Sequence, residues 1–327
     1  MLPIIDLHCD LLAYLQEKPD HTAEDPESKC SLPQLQKGRV SLQVLAFFTE
    51  TAKGSREIFL RQLRKYHQLL EKPTVKQADS REKSSLKVIP AVENASGLLE
   101  EDEPFEHIFD HFDTFQQAVK NILYISLTWN GENRFGGGNE SGIGLKKDGQ
   151  MLLDFLGSKN IAIDLSHTSD ALAHDILQYI DRHNLSIVPI ASHSNYRHIC
   201  DAPRNLPDEI AKEIFQRKGV VGINLIRRFL GDSSFHIIDH IEYGIALGGE
   251  DSICLGTDFF GGIHLPPALA ALQPFFFEEF ADASCYPKLL EFFEKQLGRP
   301  IVEKIAYKNA LNFLKNQKIP VGSLSCI

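Results

Sequence analysis

Short apolar, β-branched runs alternate along this chain with longer stretches in which apolar residues recur every three or four positions. The runs occupy residues 3–8, 41–48, 86–92, 122–128, 161–165, 187–192, 220–225 and 253–256. Runs of this length, bounded by turn formers, predict strands buried on both faces, as a parallel sheet contains. Helical periodicity fills the gaps at residues 55–71, 104–120, 149–158, 170–183, 207–218 and 236–247. In the first of these, Ile58, Leu60, Leu63, Tyr66, Leu69 and Leu70 form an apolar stripe among charged neighbours. Asp170 and Asp208 open their helices as residues of N-cap type. Eight strands, mostly linked by helices, predict a single-domain (β/α)8 barrel of the TIM type over residues 1–327, an α/β fold. Residues 286–318 predict two extra C-terminal helices. Residues 17–37, rich in Pro, Asp, Glu and Ser, and residues 131–147, which contain Gly136-Gly137-Gly138, break the rhythm and predict long loops on the rim.

Composition agrees with a soluble globular chain and narrows its partners. With 43% hydrophobic and 24% charged residues over 327 positions, one large core can be buried. A net charge of −10 argues against a surface that tracks phosphates, so nucleic acid is not an expected partner. The basic run at residues 61–65 reads as a solvated helix face. No apolar run approaches the roughly 20 residues that a membrane span needs, and no secretion signal precedes the first strand. The six cysteines, Cys9, Cys30, Cys200, Cys254, Cys285 and Cys326, show no CxxC spacing in a chain too large to need disulfide staples. The expectation is a cytoplasmic protein without membrane contact.

The chemistry gathers at strand ends. In Asp6-Leu7-His8-Cys9-Asp10, positions i and i+2 of a strand share a face, so His8 and Asp10 point together and offer one cation an imidazole and a carboxylate. Cys9 then faces the helices and packs. Glu93 closes the third run, His167 the fifth, His193 the sixth and Asp258 the eighth. A carboxylate closing an apolar strand must reach solvent or pair with something. Six such residues at the same ends of five strands point to the C-terminal rim, where barrel enzymes keep their chemistry. Five donors with one bridging carboxylate can hold two metals, and Glu93, between the strands of His8 and His167, is the natural bridge. Such a centre activates water and polarises a carbonyl, which makes amide hydrolysis the expected reaction. Asp258 completes it as proton carrier or, alternatively, as a further ligand or its partner. The histidines at positions 21, 67, 107, 111, 174, 183, 236, 240 and 264 are expected at the surface; His198 stays open.

With these residues assembled, the chain closely resembles the renal or membrane dipeptidase family of zinc metallopeptidases, in its bacterial-type branch, over most of its length. The resemblance is carried by Ile5-Asp6-Leu7-His8-Cys9-Asp10, Val92-Glu93, Leu127-Thr128-Trp129-Asn130, Gly144-Leu145, Ile163-Asp164-Leu165-Ser166-His167, Ser192-His193-Ser194, Arg204-Asn205-Leu206-Pro207-Asp208 and Gly256-Thr257-Asp258-Phe259. Its sharpest element is the DxHxD start, since the wider amidohydrolase group generally opens with HxH. The resemblance implies two zinc ions per chain, His8 and Asp10 on one, His167 and His193 on the other, and Glu93 between them. It implies dipeptide substrates, including ones with a C-terminal D-residue, with Arg204 gripping the free carboxylate and Trp129 and Asn205 as further substrate contacts. A planar guanidinium just after a ligand strand suits bidentate pairing with a carboxylate. A homodimer is the candidate assembly. Mammalian members carry a histidine where this chain has Trp129, and Gly222-Ile223-Asn224-Leu225-Ile226 lacks an aromatic hydroxyl that some members use near the substrate. Two other readings remain: a different metal-dependent barrel hydrolase, such as a deaminase or TatD-like nuclease, and a barrel that binds a metal or ligand without catalysis.

Overall fold

The protein was analysed as a computed structural model, which describes residues 2–83 and 85–326. Nine strands run in chain order as β1 (Ile4–Cys9), β2 (Val40–Phe48), β3 (Val75–Gln77), β4 (Leu86–Glu93), β5 (Tyr124–Ser126), β6 (Ala162–Asp164), β7 (Pro189–Ile190), β8 (Val221–Ile223) and β9 (Ile253–Leu255). Eight of them pair in the order β7-β6-β5-β4-β2-β1-β9-β8, and all pairings are parallel. The ring closes through a parallel bridge between Ala191 and Val221. There Ala191 N donates to Val220 O at 2.9 Å and Gly222 N to Ala191 O at 2.8 Å. The (β/α)8 barrel expected from the run-and-helix rhythm is therefore present.

That seam explains two glycines. A Cβ on Gly222 would lie 2.0 Å from Ser192 O and 2.9 Å from the Gly256 Cα, and one on Gly256 would lie 1.9 Å from the same carbonyl. Backbones approach closely here because neither residue has a side chain.

Helices Ser55–Leu70, His107–Val119, Lys147–Leu156, Asp170–His183, Asp208–Gln216 and His236–Gly244 fall where the periodicity puts them. Their caps differ from expectation. Ser169, not Asp170, caps its helix, its Oγ accepting from Leu172 N at 3.0 Å, and Pro207 precedes Asp208. Both aspartates lie in the first turn, where their charge still favours the helix dipole. The segment at residues 17–37 is not one long loop. It contains helix Leu32–Lys37, which Ser31 and Gln34 start with a reciprocal capping box. At the C-terminus, helix Tyr286–Leu297 ends at Gly298, and Arg299–Glu303, Lys304–Lys308 and Asn309–Asn316 then follow one another without a break, giving the two extra helices expected. The short strand β3 was not expected; it pairs with β4 outside the ring.

Cys9, Cys30, Cys200, Cys254 and Cys285 are free thiols, while the Cys326 side chain lies outside the described part. Among the described residues, no helix is long and apolar enough to cross a membrane.

Candidate metal centre

Each barrel strand carries apolar residues into the core and then runs out at the same rim. His8 lies within β1 and Asp10 just beyond it; Glu93 is the last residue of β4. His167, His193 and Asp258 stand three residues past β6, β7 and β9, further out than the sequence runs imply. The runs shorten because their ends leave the ladder to turn inward. His167 and Asp258 adopt left-handed backbones, with φ of 67° and 62°, and so does Asn94 directly after Glu93, with φ of 72°. Non-glycine residues in that region are held there by their surroundings, and such residues cluster at functional sites.

Two buried aspartates hold these turns. Asp6 accepts from His8 N at 2.9 Å, Gln43 Nε2 at 3.0 Å, Thr257 N at 3.0 Å and Tyr286 Oη at 2.7 Å. Asp164 accepts from Ser166 N at 3.0 Å, Ser192 N at 2.8 Å and Ser192 Oγ at 2.5 Å. One carboxylate thus ties β1 to the loop carrying Asp258, and the other ties the His167 loop to the His193 loop. Cys9, next to His8, is buried in the apolar core beside Cys30, which fits a packing role.

The three histidines converge with one ring nitrogen each turned to a common cavity. Tyr124 Oη donates to Leu7 O at 3.0 Å, so its oxygen accepts from His8 Nδ1 at 2.7 Å. Asn130 Oδ1 accepts from His167 Nδ1 at 2.8 Å. Ser192 Oγ, donating to Asp164, accepts from His193 Nδ1 at 2.7 Å. Every Nδ1 is therefore the protonated nitrogen, and every Nε2 presents a lone pair. The His167 and His193 Nε2 atoms lie 3.0 Å apart, two lone pairs facing each other with no proton between them.

Carboxylates complete the cavity. Glu93 Oε2 is 3.1 Å from His8 Nε2; Glu93 Oε1 is 3.1 Å from His167 Nε2 and 3.8 Å from His193 Nε2. Asp10 Oδ1 and Asp258 Oδ1 stand 3.8 and 3.7 Å from His8 Nε2. Donors about 2.1 Å from one tetrahedral ion lie roughly 3.4 Å from each other, the spacing found here. His8-Asp10-Glu93 and Glu93-His167-His193 each bring three such atoms within 4.8 Å of one another, as does His8-His193-Asp258. His8 Nε2, Asp10 Oδ1 and Glu93 Oε2 are buried without a hydrogen-bond partner. Buried polar atoms are normally satisfied, so this set fits a cation.

The electrostatics say the same. Burial, with the Glu93 charge behind it, pushes Asp10 up to about 7, and burial pushes Glu93 up to about 8 against the pull of Arg204. Asp258 is raised by burial and by Asp10 and Glu93, with His8 and Arg204 opposing. His167 and His193 are held well below the usual imidazole range, mainly by burial and then by neighbouring positive charge. The protein alone favours proton-poor imidazoles beside carboxylates that resist ionising; a cation reverses the second tendency.

Further out, Arg204 is buried, with Nη1 on Ser194 Oγ at 2.7 Å, Nη2 on His193 O at 2.9 Å and Nε without a partner. Trp129 lines the cleft above the centre with Phe48 and Ile226. Asn205 donates to Cys200 O at 2.9 Å and to the O of Phe229, a cleft-lining residue, at 2.8 Å. His240 corrects the surface expectation: it is buried, its Nδ1 accepting from Tyr196 N at 3.2 Å and its Nε2 donating to Leu230 O at 3.0 Å, and burial pushes it down to about 4. His198 stacks on Tyr243 with ring centroids 4.5 Å apart. Reading the sequence alone missed Tyr124, Asn130 and Ser192 as partners of the ligand histidines. It also missed Asn224, whose Nδ2 donates to Asp258 Oδ2 at 2.9 Å. For Ser192 a signal was available in Asp164, since a carboxylate inside an apolar strand must find donors.

Comparison with known proteins places this centre among relatives. The family model described as Membrane dipeptidase (Peptidase family M19) matches residues 1–319. An uncharacterized protein in the pqqA 5' region of Klebsiella pneumoniae is 28% identical over 253 residues, covering 72% of this chain and 84% of that protein. Dipeptidase ataJ of Aspergillus terreus is 27% identical over 161 residues, covering 47% of this chain but 35% of that protein. Among solved structures, a metallo peptidase from Rhodobacter sphaeroides, liganded with a phosphinate mimic of the dipeptide L-Ala-D-Ala, superposes with a TM-score of 0.79 at 19% identity, covering 97% of this chain and 99% of that one. This last likeness bears on the fold.

Proposed function

The chain belongs to the membrane dipeptidase family and is a metal-dependent dipeptidase, and from that premise we propose that it works with two zinc ions and accepts dipeptides ending in a D-residue. The observation that carries this reading is the convergence of four donor residues, His8, Asp10, His167 and His193, on Glu93, whose two oxygens face His8 and His167 separately at 3.1 Å each. His8 and Asp10 would hold one ion, His167 and His193 the other, and Glu93 both. Three imidazoles with carboxylates suit zinc or a similar borderline first-row metal. Ions bound there supply an acidified water and polarise the scissile carbonyl.

The remaining work falls to this chain's own groups. Asp258 Oδ2 is fixed by Asn224, which leaves Oδ1 toward the cavity, and the buried carboxyl is raised in pKa. In this reading it takes a proton from the attacking water and returns it to the leaving amine. Arg204, buried with a free Nε, supplies positive charge for the substrate's carboxylate. Trp129 forms part of the cleft wall that orients the substrate. Acceptance of a D-residue is supported by the L-Ala-D-Ala mimic in the Rhodobacter sphaeroides relative.

The test is an assay of the zinc-loaded protein on L,L- and L,D-dipeptides beside nucleosides and single-stranded DNA. Turnover of dipeptides of both kinds is expected. Turnover confined to nucleosides or DNA contradicts the reading in favour of another barrel hydrolase.

A further inference from the structure

The cleft above the metal centre is apolar beyond anything the metal chemistry requires. One wall is Phe48 and Trp129, edge to face with ring centroids 5.1 Å apart, and Trp129 leans toward His167 at 6.1 Å. The facing wall comes from the excursion at residues 259–277, between β9 and the C-terminal helices. It brings Phe260, Ile263, Leu265, Leu269 and Phe275 to the cleft, all of them half-buried.

This second wall is fastened in place. Phe275 packs on Phe260 at 4.9 Å and Phe276 on Phe259 at 5.2 Å. Ile226 pairs with Phe276 in an antiparallel bridge, and Arg227 N donates to Phe275 O at 2.8 Å. The Arg227 guanidinium lies 4.9 Å over the Phe277 ring. The ionisable groups that line the cleft are Asp10, Glu93, His167 and Asp258 on its floor and Arg227 and Arg228 at its edge. Phe48, Trp129 and the cleft-lining residues of the 259–277 excursion are all uncharged. The cavity measures about 100 Å³ and opens to solvent.

We infer that the enzyme selects dipeptides bearing bulky aliphatic or aromatic side chains over alanine dipeptides and over dipeptides with charged side chains, a specificity that rests on the dipeptidase reading above. Half-buried apolar surface on both walls is removed from water only by a side chain large enough to reach it. A charged side chain in the same place would lose its hydration and find no partner on the walls.

The test compares kcat/KM of the zinc-loaded protein for Leu-Leu, Phe-Leu, Ala-Ala, Lys-Lys and Glu-Glu, with the second residue in both L and D forms. Leu-Leu and Phe-Leu are expected to exceed Ala-Ala by at least about tenfold, as methylene discrimination in an apolar pocket gives. Lys-Lys and Glu-Glu are expected to fall below Ala-Ala. In the double variant Leu265→Gln, Leu269→Gln, with zinc content checked in parallel, the advantage of Leu-Leu over Ala-Ala should shrink. Equal kcat/KM for Ala-Ala and Leu-Leu, or faster cleavage of the charged pair, overturns the inference and leaves the dipeptidase reading intact. No turnover of any dipeptide overturns the dipeptidase reading, and the inference with it.

Discussion

At the scale of single residues, the centre depends on which nitrogen of each histidine carries the proton. Tyr124 fixes His8 by donating its own hydroxyl proton to Leu7 O and accepting from Nδ1 at 2.7 Å. Removing that oxygen frees the imidazole to rotate or change tautomer, and partners of this kind typically contribute ten- to a hundredfold in metal affinity or activity. Tyr124→Phe should therefore weaken zinc binding by roughly 10- to 100-fold, measured by competition with a chelator, while the circular dichroism spectrum stays that of the parent. Unchanged affinity would remove Tyr124 from the site. The proposed ligands were legible in the sequence: His8, Asp10 and Glu93 are charged or polar residues closing apolar strands, where burial demands an explanation. Their orienting partners were not. Tyr124 is 116 residues from His8 in sequence and reads, by itself, as one more core aromatic. Arg204 was read as reaching the substrate, and its burial beneath the cleft, with two nitrogens on Ser194 and His193, follows from loop packing that no local pattern encodes.

At the scale of elements, the strands end early so that the rim can be chemical. The runs at residues 122–128, 161–165 and 187–192 were visible, but only Tyr124–Ser126, Ala162–Asp164 and Pro189–Ile190 stay in the ladder. Periodicity cannot distinguish a paired apolar residue from one whose backbone has already turned. The caps, not the helix spans, were missed for a similar reason: Ser169 rather than Asp170 caps helix Asp170–His183 because the cap is set by backbone entry angle, and both residue types qualify. The seam between the His193 loop, β8 and the end of β9 needs Gly222 without a side chain, because a Cβ would meet Ser192 O at 2.0 Å. Gly222→Ala forces the backbones apart at a point from which His193 and Asp258 both extend. Overpacking of this kind costs about 1–3 kcal/mol, so its denaturation midpoint should fall accordingly, with zinc binding weakened alongside. A variant as stable as the parent would show the seam to be looser than described.

At the scale of the whole molecule, the barrel was readable because eight apolar runs with helices between them have few other solutions. The capping signature Ser31-Leu32-Pro33-Gln34 lay unread inside an acidic, proline-containing stretch, and β3 was too short to register. What the fold achieves is a ring that buries an acidic and imidazole-rich pocket in which His8 Nε2, Asp10 Oδ1 and Glu93 Oε2 find no hydrogen-bond partner among the described residues. In the metal-free protein, Asp10 at about 7 and Glu93 at about 8 both hold protons under mildly acidic conditions, whereas His167 and His193 are neutral. Raised carboxyl pKa values mean that a cation must displace carboxyl protons at low pH and no carboxyl protons at high pH.

Zinc titration of the metal-free protein in weak buffer, following bound ions and released protons together, therefore tests the centre most directly. The expected result is two ions per chain, with more protons released per ion at about pH 6, where the carboxyls still hold protons, than at about pH 9, where only metal-bound water has one to lose. A single ion per chain, or two ions taken up with no pH-dependent release, would contradict a centre in which Glu93 is shared between His8 with Asp10 and His167 with His193.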